Sequence, residues 1–227
     1  MFIPMSKIKT GIFIISRMNS SRLPGKAKIL IKEDSMIEFL FKRLSQNFDK
    51  NQIVICTSNS KGKTFYKLLA KKYGVKLFIG SNKNVLKRIV DCMKKFNFRN
   101  FVRVTGDNPL TDPDAIKILI RNHCKNKNDY TFTNSIPWGL KAEVFSFKAL
   151  KKCMKSIIDK NSTEYLTYYF KRKDKFKIQD VKLKKYFSNE QNLSISIDKK
   201  SDVKNLKRFF NKNKFSYNIK RKNISYF

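Results

Sequence analysis

The chain has 227 residues and a mass of 26.8 kDa, enough for one large domain with a full core, and 51 Lys and Arg against 17 Asp and Glu give it a formal net charge of +34. A single histidine, His123, excludes a His-rich metal centre and argues against a histidine base; the separated cysteines Cys56, Cys92, Cys124 and Cys153 form neither a CxxC zinc pair nor a disulfide framework. That cysteine usage makes a reducing cytoplasm the expected setting, and the apolar run Gly11–Ile15 is too short for a membrane span or a signal core.

Short apolar runs alternate with longer stretches of helical spacing, the pattern of an α/β fold with a mostly parallel sheet covered by helices. Strands are predicted at Ile8–Ile15, Gln52–Thr57, Val75–Ile79, Phe101–Thr105 and Tyr130–Thr133. Helical stripes lie between them: Met36, Phe39, Leu40 and Leu44; Phe65, Leu68, Leu69 and Tyr73; Val85, Ile89, Cys92, Met93 and Phe96; Ile116, Leu119 and Ile120. Each crossover is long enough for a helix returning to a parallel strand. After Asn134 the rhythm changes. Trp138–Phe147 reads as extended, Ala149–Ile158 and Thr163–Phe170 as helical, and Lys177–Leu183 and Leu193–Ile197 as strands. A last helix, Ser201–Phe210, is expected to be capped by Ser201 with Asp202 beside it, and a basic, irregular stretch follows from Lys212. There is neither an internal repeat nor a Pro/Ser-rich linker.

Read alone, the charge would suit a nucleic-acid or anionic-membrane binder. The chain is also rich in Lys, Asn, Ile and Phe, residues with A- and T-rich codons, and poor in Arg, Gly, Pro, Ala and Trp. Its lysines are scattered over most helices instead of forming one stripe, so the charge has a compositional source and a nucleic-acid binder ranks second. A positive surface still favours anionic substrates.

Three stretches carry chemistry. Ser16–Lys26 (SRMNSSRLPGK) follows the first strand, where a doubly wound sheet presents ligands. It offers Arg17, Arg22 and Lys26, the hydroxyls of Ser16, Ser20 and Ser21, and a Pro24-Gly25 turn, a plausible phosphate cradle without the GK[ST] ending of a Walker loop. The bland alternative is a basic surface loop. In Phe101–Asp114, Asp107 follows a strand and a glycine, a place for a carboxylate that holds Mg²⁺ against a triphosphate, whereas Asp112 reads as the cap of the helix after Pro113. In Leu193–Asp202, Asp198 follows an alternating run. Asp107 and Asp198 could form a magnesium pair, but spacing alone does not bring them together.

The loop RMNSSRLPGK, then VRVTGDNPLTDPD, then SIDKKSD resembles, in that order, the cytidylyltransferase family of CMP-sugar-acid synthetases, and within it the spore-coat polysaccharide (SpsF-like) branch. The resemblance spans roughly residues 8 to 210. It implies a Rossmann-like nucleotide-diphospho-sugar transferase fold (GT-A-like), a single domain over 1–227 with an acceptor or dimerisation insertion at about 134–190, and a homodimer. By the same resemblance Arg17 and Lys26 grip the CTP phosphates, with Ser20, Ser21 and Arg22 in the same loop. Thr57, Ser58 and Asn59, and Ser81 and Arg88 of GSNKNVLKR, fall on the nucleotide side. Arg103 and Glu143 fall on the acceptor side, and Asp107 and Asp198 match the metal carboxylates. Lys83 and Asn84 stand where relatives often carry acids, and Glu164-Tyr165-Leu166-Thr167 replaces a Glu-His-Val-Thr pattern, so the acceptor's identity stays open. The expected reaction is attack of an acceptor oxygen on the α-phosphorus of CTP, with Mg²⁺ as cofactor and pyrophosphate leaving. Another nucleotide, or a phosphonate or alditol-phosphate acceptor, is the alternative.

Overall fold

A computed structural model describes residues 9–20, 22–60, 62–156, 169–170, 175–183, 194–212, 216–217 and 219. Its strands in chain order are β1 (Thr10–Ile15), β2 (Leu30–Ile31), β3 (Asp34–Ser35), β4 (Ile53–Ser58), β5 (Lys76–Gly80), β6 (Asn100–Thr105), β7 (Tyr130–Phe132), β8 (Glu143–Ser146) and β9 (Ile178–Asp180). The helices are α1 (Met36–Ser45), α2 (Lys63–Tyr73), α3 (Val85–Lys95), α4 (Pro113–Asn126), α5 (Phe147–Ser156) and α6 (Lys200–Lys212). Seven strands form one sheet in the order β5-β4-β1-β6-β8-β7-β9, and β2 and β3 pair apart from it. Strands β5, β4, β1 and β6 are parallel; β8 runs antiparallel to both β6 and β7, and β9 is parallel to β7.

The apolar runs are continuous because both faces of the parallel strands are covered. On one face Ile12, Ile14, Ile53, Ile55, Val102 and Val104 pack under α1, α2, α4 and α6. On the other, Phe13, Val54, Cys56 and Phe101 pack under α3 and α5. The chain leaves β1 toward β4 and β5, then returns past β1 to β6, so the carboxyl ends of β1 and β6 flank a topological switch point. A crevice opens there in sheets of this kind.

Each strand predicted before Asn134 forms, with small differences at the ends. The stripe of α2 is corrected: Tyr66 and Leu69 are buried, whereas Leu68 is 65% exposed. Only Glu143–Ser146 of the extended Trp138–Phe147 stretch is a strand, and Lys177–Leu183 shortens to Ile178–Asp180. Leu193–Ile197 is not a ladder strand among its described residues; Ser194 makes one isolated bridge to Trp138. Its alternation is real, since Ile195 and Ile197 are fully buried. Their amides, however, donate to the carbonyls of Trp138 and Asp107, at 2.8 and 2.9 Å, instead of to a neighbouring strand. Ser201 is not the cap of the last helix. That helix starts at Lys200, and Asp202 Oδ2 reaches back to accept the N–H groups of Asp198 and Lys199, both at 2.8 Å. Asp112 does cap α4, accepting from the amides of Asp114 and Ala115. The predicted helix Thr163–Phe170 lies outside the described residues except for 169–170.

Candidate active site

The first loop folds back on itself. The amides of Ser20 and Gly25 both donate to the Met18 carbonyl, at 3.1 and 3.0 Å, and Lys26 N–H donates to Leu23 C=O at 3.3 Å. Pro24 and Gly25 are the centre of that last turn, and Gly25 has φ 71°, the left-handed value such a turn needs at its third residue. The turn sends the Lys26 side chain inward to the end of β6.

There the Lys26 ammonium meets both carboxylates. Nζ lies 2.7 Å from Asp107 Oδ2 and 3.3 Å from Asp198 Oδ1, and it also donates to the Ile197 carbonyl at 3.5 Å. Two oxygens sharing one nitrogen are separated by no more than the sum of those distances, so the carboxylates stand side by side. The Ile197 amide donates to the Asp107 carbonyl, which joins the late segment to the end of β6. Arg22 NH1 takes the other oxygen of Asp198 at 3.2 Å. Burial alone would raise the Asp107 carboxyl, but the charge of Lys26 and hydrogen bonds from Lys26, Thr105 and its own amide outweigh burial and hold it below its ordinary value.

A cleft of about 540 Å³ opens over this cluster, lined by Ile15, Ser16, Arg17, Ser20, Arg22, Lys26, Val85, Arg88, Arg103, Thr105, Gly106 and Asp107. Of the other sequence-derived candidates, Thr57 and Ser58 are buried at the end of β4 and do not line it. Asn59 accepts from Lys63 Nζ at 2.7 Å, away from the cleft. Ser81 supports the wall instead of forming it: its carbonyl accepts Arg88 NH1 at 2.7 Å and its hydroxyl accepts the Asn84 amide at 3.1 Å. Ser21 lies outside the described residues.

Arg103 and Glu143 are register partners on β6 and β8, and Arg103 NH1 lies 2.6 Å from Glu143 Oε2. Tyr130 donates to the other oxygen of Glu143. Burial first, then the Glu143 charge, raise the Tyr130 hydroxyl well above its ordinary range, so it stays a neutral donor. This pair forms the floor of a smaller cavity of about 130 Å³ that adjoins the cleft through Arg103 and Thr105 and continues past Asn108, Thr133, Asn134, Trp138 and Lys141. Trp138 is 59% exposed, and Lys141 Nζ sits 4.0 Å from its ring centre.

Sequence reasoning missed Tyr66. Its hydroxyl lies 2.8 Å from Ser16 Oγ, at the mouth of β1, and burial against hydrogen bonds to Ser16 and Thr57 leaves it raised to about 12. The signal was its place beside Phe65, Leu69 and Tyr73, the α2 stripe residues that do pack on the core. It also passed over Val85 and Thr105 as cleft residues.

A divalent ion fits the two-carboxylate arrangement. Among the described residues there is no cluster of three or more His, Cys, Asp or Glu. Magnesium commonly takes one or two carboxylates and completes its shell with water and phosphate oxygens. Asp107 and Asp198 already surround one cation, the Lys26 ammonium.

Similarity to known proteins runs along most of the chain. The family profile described as Cytidylyltransferase matches residues 12–224. The chain is 32% identical over 192 residues to "Uncharacterized protein MJ1063" of Methanocaldococcus jannaschii, covering 84% of this chain and 79% of that protein. It is 28% identical over 208 residues to the spore coat polysaccharide biosynthesis protein SpsF of Bacillus subtilis, covering 88% and 86%. Among solved structures, a cytidylyltransferase from Leptospira borgpetersenii superposes with a TM-score of 0.87 at 25% identity, covering 96% of this chain and 93% of that one.

Proposed function

The chain belongs to the cytidylyltransferase family, and on that footing we propose that it couples CTP to a small sugar acid or related acidic acceptor, with release of pyrophosphate, for surface polysaccharide or glycoconjugate synthesis. The observation that carries this reading is the meeting of Lys26, Asp107 and Asp198 under a cleft rimmed by Arg17 and Arg22.

In this reading Arg17, Arg22 and Lys26 hold the triphosphate and receive the negative charge that gathers on the departing pyrophosphate. The Ser16 and Ser20 hydroxyls add neutral donors on the same side. Arg88, fixed by the Ser81 carbonyl and almost wholly buried, keeps the opposite wall in place. Asp107 and Asp198 would hold magnesium, which when bound supplies charge neutralisation and alignment of the triphosphate. An acceptor oxygen then attacks the α-phosphorus as the bond to pyrophosphate breaks.

The acceptor belongs in the adjoining cavity. Its carboxylate, Glu143, is matched by Arg103 and Tyr130, and Lys141 lines the same cavity beside the flat, exposed ring of Trp138, a positive wall that suits an acidic acceptor. A pyrophosphate-release screen of four nucleoside triphosphates against sugar acids, alditol phosphates and phosphonates tests the reading. Turnover confined to CTP plus a sugar acid supports it; no release with any CTP pair, or turnover with another triphosphate, ends it. A homodimer goes with the same reading, and mass in solution checks it.

A further inference from the structure

The resting charge around the two carboxylates is balanced by the protein itself. Lys26 Nζ has three oxygen neighbours, Asp107 Oδ2, Asp198 Oδ1 and the Ile197 carbonyl, at 2.7, 3.3 and 3.5 Å. Arg22 faces the remaining oxygen of Asp198. Two carboxylates are thus matched by two cations. The Lys26 side chain is only 13% exposed, and those of Asp107 and Asp198 are 24% and 25% exposed, so this is a partly desolvated contact in which Coulomb attraction is stronger than at an open surface.

We infer that the Lys26 ammonium is the resident counter-cation of the divalent-metal position and competes with a metal ion for it, so that a polyphosphate that draws the ammonium off the carboxylates admits the metal. The inference rests on the cytidylyltransferase reading given above. It follows from charge: a divalent ion bound at about 2.1 Å to the oxygens that Lys26 now contacts would stand close beside the ammonium, and the repulsion between the two cations favours one occupant at a time. The lysine has somewhere to go. Its backbone is fixed by the Leu23–Lys26 turn, but its flexible stem opens onto the cleft that Arg17, Ser20 and Arg22 line, where phosphate oxygens would replace the carboxylates as its partners. Metal and polyphosphate therefore bind with positive coupling, and by linkage the coupling is reciprocal. In the resting protein the charge of both carboxylates is already matched by Lys26 and Arg22.

Mn²⁺ serves as the probe, read by its electron paramagnetic resonance signal, with folding of each variant checked by circular dichroism. Nucleotide-free wild-type protein is expected to bind Mn²⁺ weakly. Lys26→Ala and Lys26→Met are expected to bind it at least tenfold more tightly without nucleotide, and adding Asp107→Asn to either should abolish the gain. Equal affinity in wild type and both lysine variants would overturn the inference. A second readout needs no variant: acetylation of Lys26 by an amine-reactive ester, quantified by mass spectrometry, should rise severalfold when nucleotide-free wild-type protein is saturated with Mn²⁺. Unchanged acetylation at saturation would overturn it equally. The parent reading is judged separately, by whether wild-type protein with CTP holds Mn²⁺ in a ternary complex beyond what CTP binds alone. Ternary binding together with unchanged lysine variants refutes the counter-cation role and leaves the parent reading standing; no ternary complex refutes both.

Discussion

A Cβ placed on Gly106 would lie 2.8 Å from both the Cβ and the Oγ of Ser16. The two strand ends that carry the site, β1 and β6, approach this closely only because position 106 has no side chain, and the Gly106 amide uses the approach to donate to the Ile15 carbonyl at 2.9 Å. Ile37 Cδ1, in the core, would stand 2.7 Å from the same Cβ. Gly106→Ala should therefore cost about 1–3 kcal/mol of stability, the scale of overpacking. It should also raise the KM for CTP by about tenfold, since it pushes the phosphate loop off Asp107. Thermal melts and steady-state kinetics check the two effects together.

Asp107→Asn and Asp198→Asn should each fold, because both side chains are partly exposed at the rim and not in the apolar core. Each should lose most activity, since an amide oxygen is a poorer ligand for a hard cation. Because both carboxylates face one cation, the double variant should be scarcely worse than the worse single one. Turnover of the three variants over a magnesium titration is the measurement. Additive losses without rescue by magnesium would separate the two roles.

Arg17→Ala removes a cation from the cleft wall without touching the core. Turnover should fall by about tenfold to a thousandfold, the range for losing one charge-stabilising donor, while the melting temperature holds. A wild-type rate would reduce the loop to surface.

CTP with Mg²⁺ should raise the melting temperature more than ATP, GTP or UTP at the same concentration. Equal shifts from all four would mean that the net charge of +34, and not a base-reading site, governs binding.

His123 is buried with Nδ1 2.9 Å from Thr131 Oγ1, and burial lowers it to about 4, against a smaller opposing pull from Asp129. The unfolded chain takes up that proton at about 6.5. Between those values the unfolded state binds more protons, so stability is fully present above the unfolded value and declines as pH falls toward 4. Urea titrations from pH 7 to 4 should show this slope in wild type and a shallower one in His123→Gln.

The parallel half of the fold was legible because strands buried on both faces leave continuous apolar runs such as Gly11–Ile15. The short strands after Asn134 were read too long because burial, not a hydrogen-bonded ladder, produced their patterns; Ile195 and Ile197 are buried yet pair with turn carbonyls. The Ser16–Lys26 loop and Asp107 showed themselves as polar residues placed at strand ends. The approach of Asp198 to Lys26 did not, since it depends on where a distant segment crosses the sheet edge. His123 lay in a polar stretch of sequence and is nevertheless 2% exposed, because α4 turns that side toward β7. Tyr66 was missed because the α2 stripe included Leu68, which faces outward, while Phe65, Leu69 and Tyr73 of that stripe do pack on the core.

The hydrogen bond from the Ile197 amide to the Asp107 carbonyl joins two parts of the chain that a ribosome releases far apart in time. The parallel strands and their first four helices are all encoded before residue 130, so much of the sheet can form while the second carboxylate is still unmade. Closing that long loop comes late, because its entropy must be met before its contacts repay it. A nascent or prematurely ended chain would accordingly carry a phosphate loop and Asp107 without Asp198, leaving an incomplete cage around Lys26. The cage around Lys26 therefore waits for Asp198, in a segment whose described residues give the strands no more than one isolated bridge.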